Sequence, residues 1–75
     1  MPQLRTFSAR DLRALLGRHG FAEVRQKGSH VVLQRISEGK TTTVIVPDHK
    51  EIRIGTLQSI IRQSGLQRAI FEVAN

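Results

Sequence analysis

The sequence predicts an α+β domain with the element order α-β-β-β-α, a three-stranded antiparallel sheet carrying two helices on one face. Three observations predict it. Leucine and isoleucine recur at helical spacing near both ends of the chain, between Ser8 and Gly20 and between Ile54 and Gly65. The stretch between them is rich in β-branched residues and is punctuated by Gly28 and Gly39. The links between the strands are short, which favours antiparallel pairing, because parallel strands need a long crossover. At 75 residues the chain reads as one domain spanning residues 1–75. A body of this size buries roughly 60% of the surface its unfolded chain exposes.

Each element has its own signal. Ser8 can cap a first helix, with Asp11 three residues on, a shorter form of the Ser-x-x-Glu capping box. Leu12, Leu15 and Leu16 form its apolar face. Gly20 ends it in the left-handed conformation, and Phe21 closes the cap with an apolar contact. Phe21 to Gln26 reads as the first strand, and His30 to Ile36 as the second, bounded by Gly28. Ser37-Glu38-Gly39-Lys40 is a turn, and Thr41 to Val46 is a third strand that stops at Pro47. The last two strands form a hairpin. A second helix starts near Gly55 and Thr56 and presents Leu57, Ile60 and Ile61, with Ile54 a turn earlier. Its ending, apolar pair, three spacers, glycine, apolar, repeats that of the first helix. Gln67 to Val73 make a short final helix burying Ile70, Phe71 and Val73. Two apolar helix faces must cover one side of the sheet. This is the layout of the double-stranded-RNA-binding domain, and layout alone assigns no function. In the second strand Val32 and Ile36 face one way and Val31 and Leu33 the other. The second sheet face is therefore partly apolar, either as ordinary exposed valine or as a surface that meets a partner.

Composition narrows the function. There is no cysteine, which excludes a disulfide-stapled miniprotein, a cysteine-ligated zinc site and a thiol nucleophile. Apolar runs are far short of a membrane span and no signal-type segment opens the chain, so the expected location is cytoplasmic, with no membrane partner. Twelve Lys and Arg against six Asp and Glu give +6 and a pI near 11.5. That balance favours an anionic partner. Three Phe, with no Trp or Tyr, argue against an aromatic base-stacking platform.

His19, His30 and His49 lie far apart in sequence and make no metal motif with the acids; no metal and no cofactor are expected. His19 sits in the last turn of the first helix, where a cation suits the helix dipole. Ser29 beside His30 makes no triad, since adjacent strand residues point to opposite faces. The run Arg25-Gln26-Lys27-Gly28-Ser29-His30 is different. Glycine admits close backbone approach, Lys27 and Arg25 can pair phosphate oxygens, and a histidine moves protons near neutral pH. The plainer reading of His30 is a polar surface residue at a loop–strand junction. His49, in Pro47-Asp48-His49-Lys50, reads first as loop packing and second as another proton-transfer group.

Taken together, these residues resemble a known family. Gly20-Phe21, Lys27-Gly28-Ser29-His30 before an apolar strand, Val44-Ile45-Val46-Pro47-Asp48-His49, Ile54-Gly55-Thr56-Leu57, Ser59-Ile60-Ile61-Arg62-Gln63 and Gly65-Leu66 closely resemble the HicA family of bacterial toxins, over roughly Ser8 to Phe71. The resemblance implies a double-stranded-RNA-binding-like fold, ribosome-independent cleavage of mRNA, and neutralisation by a HicB-like antitoxin. It also implies that His30, after Gly28-Ser29, is catalytic. Lys27 is the candidate for stabilising the reacting phosphate. Arg25, Lys50 and Arg53 are candidates for phosphate contacts, and Ser29 for orienting the site. Without a metal site, cleavage would use the substrate's own 2′-hydroxyl. Gln67 departs from the Ser or Thr with which relatives often cap the last helix. The alternative is a non-catalytic RNA-binding module of the same fold.

Overall fold

A computed structural model describes residues 3–73. The elements are α1 (Ala9–Arg18), β1 (Ala22–Lys27), β2 (His30–Ser37), β3 (Lys40–Pro47), α2 (Ile54–Ser64) and a final 3₁₀ turn (Arg68–Phe71). The sheet is antiparallel throughout, in the order β1-β2-β3. The expected α-β-β-β-α architecture is the one observed.

Local chemistry explains the boundaries. The Ser8 hydroxyl accepts a hydrogen bond from the Asp11 N–H at 3.0 Å, which starts α1. Gly20, at φ 92°, reverses the chain after α1, and the Phe21 N–H returns to the Leu16 carbonyl at 3.1 Å. The β1–β2 turn has Gly28 at φ 59°, the left-handed conformation that a two-residue hairpin turn requires at its first position. Both middle residues of the β2–β3 turn, Glu38 and Gly39, also have positive φ, 53° and 76°, as in a type I′ turn, whose twist matches that of the strands. Gly65, at φ 70°, closes α2.

Val31, Leu33, Val44 and Val46 point to one face and pack with Leu12, Leu15, Leu16, Leu57 and Ile60 into a single core. Both helices therefore lie on that face, and among the described residues no helix covers the other. Three details differ from the sequence expectation. Ile54 begins α2 but is 58% exposed, while Ile52, just before the helix, is buried. Val73 is exposed, and only Phe71 of the last turn is fully buried. The third detail is that the N-terminal segment belongs to the core. Phe7 meets Phe71 edge to face with ring centroids 6.2 Å apart, and Leu4 bridges to Glu72. Segment 3–7 has no helical or alternating period, so only the folded chain reveals its partner.

Candidate functional site on the open sheet face

The register of the sheet assembles the site. Arg25, Val32 and Ile45 are cross-strand neighbours in one row; Lys27, His30 and Pro47 form the next row. Both rows face away from the helices, and Arg25, Lys27, His30, Val32 and Ile45 line one open hollow of about 500 Å³.

A bulge makes this possible. In a regular strand Glu23, Arg25 and Lys27 would share a face, because side chains alternate with period two. The register shifts between Glu23 and Arg25, so that Glu23 faces the helices while Arg25 and Lys27 face the hollow. Glu23 pairs with Arg13 of α1 at 3.0 Å. The bulge thus removes the carboxylate from the cations on its own strand. Asp48 is engaged as well, 3.6 Å from the same Arg13. Arg25 and Lys27 have no carboxylate partner among the described residues.

Gly28 and Ser29 form the turn at the edge of the hollow. A side chain at Gly28 would meet nothing within 4 Å, so this glycine serves conformation and leaves its backbone open to a ligand. The Ser29 carbonyl accepts the Asp48 N–H at 2.6 Å, which ties the turn to the loop that follows β3. It is therefore the backbone of Ser29 that organises the site here. The His30 ring is exposed, and no hydrogen bond from a described residue holds it.

The remaining candidates lie elsewhere. His49 and Lys50 line a second hollow with Ser8, Arg10 and Asp48, beside the start of α1. There the His49 carbonyl accepts the Ala9 N–H at 3.0 Å. Arg53 lines a third hollow with Arg5, Ile54 and Leu57. The structure thus brings Arg25, Lys27 and His30 into one hollow, while His49, Lys50 and Arg53 line others. Sequence reasoning missed Ile45 and the bulge. Ile45 alternates in phase with Thr43 and Thr41 on an outward face, and the bulge depends on the partner strand.

The fold and the hollow define a class: a small basic α+β domain whose helix-free sheet face, among the described residues, carries an imidazole beside two cations without carboxylate partners. The chain matches the family model of the HicA toxin of bacterial toxin-antitoxin over residues 9–66, most of its 75 residues, and it belongs to that family. A comparison with curated proteins gave no match. Among the described residues, no helix is long and apolar enough to cross a membrane.

Proposed function

We propose that residues 1–75 act as a single toxin domain, an endoribonuclease that cuts mRNA without the ribosome and is neutralised by a HicB-like antitoxin. The observation that carries this reading is the shared hollow of Arg25, Lys27 and His30. The cytoplasm, where mRNA is translated, is its place of action.

In this reading His30 takes the proton from a ribose 2′-hydroxyl. The 2′-oxygen then bonds to the adjacent phosphorus, the phosphorus–O5′ bond breaks, and the leaving O5′ receives a proton. The products are a 2′,3′-cyclic phosphate and a 5′-hydroxyl. Lys27 and Arg25 stabilise the charge that builds on the phosphoryl oxygens. Gly28 and Ser29 hold the turn that aims His30. In this reading His30 serves both proton steps, and His49, which lines the hollow beside the start of α1, is the second candidate for one of them. Lys50 and Arg53 act as outlying phosphate contacts. The antitoxin inhibits by covering the open sheet face.

The test is His30→Ala on purified protein with a defined RNA. Positioned proton transfer contributes about 10²–10⁴-fold, so cutting should fall by about that factor while RNA binding persists. Product ends, identified by mass spectrometry, should be cyclic phosphate and 5′-hydroxyl. Cutting at the unmodified rate by His30→Ala would remove His30 from the mechanism. Binding without any cutting by the unmodified protein would leave only the RNA-binding module.

A further inference from the structure

Two side chains in the hollow, Val32 and Ile45, cannot handle charge. They are direct cross-strand neighbours. Val32 is only 7% exposed although no helix among the described residues covers its face, while Ile45 is 46% exposed. They make an apolar floor beside the row of Lys27 and His30. Two residues along a strand advance about 6.6 Å, comparable to the span from a nucleobase to the phosphate of its own nucleotide.

The floor is also bounded. The next outward row is polar, with Gln34 donating to the Thr43 hydroxyl at 3.3 Å. Beyond it Ile36 stands alone, 76% exposed and opposite Thr41. On β2 and β3 the apolar surface of the hollow is therefore a patch between a cationic row and a polar row, while on β1 the bulge residue Val24, 49% exposed, adjoins Arg25. A small apolar patch with a cationic rim suits one nucleotide: a base face and its phosphodiester. A broad protein contact would use a longer apolar strip.

We propose that Val32 and Ile45 form the seat of a nucleobase next to the scissile phosphate. The proposal rests on the nuclease reading and names a subsite of it. An aliphatic floor offers contact area and no hydrogen-bond code. The β2 backbone, paired on both sides, has few groups left to read a base edge. This seat therefore accepts any base and favours the larger purines.

The experiment compares adenosine 5′-monophosphate with ribose 5-phosphate, which differ only in the base. Each is titrated into isotopically labelled protein and followed by NMR. The nucleotide should bind about tenfold more tightly, a difference of about 1.4 kcal/mol, and should shift the methyl signals of Val32 and Ile45. Ile45→Thr keeps the β-branched shape and should bring the two affinities close together by weakening the nucleotide alone. Unchanged ribose 5-phosphate binding then reports an intact fold and rim. Ile36→Thr, on the same face but outside the hollow, should change neither. Equal affinities for the two ligands in the unmodified protein would overturn the proposal. So would an Ile45→Thr variant that loses antitoxin binding while keeping the nucleotide preference, since that marks a protein contact. RNA cleavage that depends on His30 but shows no base effect sinks this subsite alone. A base effect without any RNA cleavage supports the seat and sinks the nuclease reading.

Discussion

Arg35 lies on the helix-bearing face of the sheet, with its guanidinium carbon 5.1 Å from the centroid of the Phe21 ring. One terminal nitrogen donates to the His19 carbonyl at 3.4 Å, at the end of α1 where the helix dipole favours a cation. Its Nε is buried with no hydrogen-bond partner among the described residues. The side chain therefore contributes mainly through its stem and its stacking on Phe21, against the cost of a buried N–H. It also sits close to Gly20, where an added Cβ would lie 3.2 Å from the Arg35 Cδ. Arg35→Met keeps the stem and removes the unpaired donor, so its stability should stay within about 1 kcal/mol of the unmodified protein. Arg35→Ala removes the packing and should cost about 1–2 kcal/mol. Urea midpoints at constant m-value measure both. Equal losses in the two variants would show that the charge, and not the stem, holds this corner.

At the scale of elements, the two helices begin differently. Ser8 caps α1 with its hydroxyl, whereas Arg53 at the start of α2 makes no side-chain cap. The start of α1 also bonds to the His49 carbonyl, and Arg13 of α1 holds both Glu23 and Asp48. Ser8→Ala should lower stability by about 1 kcal/mol, seen as a lower urea midpoint. Because the Ser8 hydroxyl bonds only within α1 and touches none of the residues lining the hollow, the RNA cleavage rate of folded protein should not change. These elements were legible in the sequence to the extent that their causes are local. Ser8, Gly20, Gly28, Gly39 and Gly65 act on their immediate neighbours, and the helices and turns they mark stand where expected. The start of α2 was less legible, because Ile52 and Ile54 are both apolar and only packing decides which is buried. The run from Arg25 to His30 stood out in the sequence as the candidate for phosphate chemistry. Its shared face was not legible, since the bulge that separates Glu23 from Arg25 is a property of the β1–β2 pair. Nor did segment 3–7 carry a pattern from which its contact with residues 71–73 could be read.

For the molecule as a whole, charge is unevenly matched. Among the described residues only Arg13 and Arg68 meet carboxylates, Arg68 through Glu72 at 2.9 Å. Most of the +6 charge is thus free to act on an anionic partner. In the proposed function a single-stranded nucleic acid binds by displacing counterions, and each phosphate contact contributes about 0.7 to the slope of log affinity against log salt. Lys27→Ala should reduce that slope by about 0.7, because Lys27 lies in the hollow without a carboxylate partner. Arg68→Ala removes a cation already satisfied by Glu72 and should leave the slope unchanged. The measurement is a fluorescence titration of a labelled oligonucleotide over a series of salt concentrations. DNA of the same sequence should show a similar slope, since its phosphates are the same, and should remain uncut, since it lacks the 2′-hydroxyl that the proposed reaction consumes. A slope insensitive to Lys27 would move the phosphate contacts away from the hollow, and cleavage of the DNA would refute attack by the 2′-oxygen.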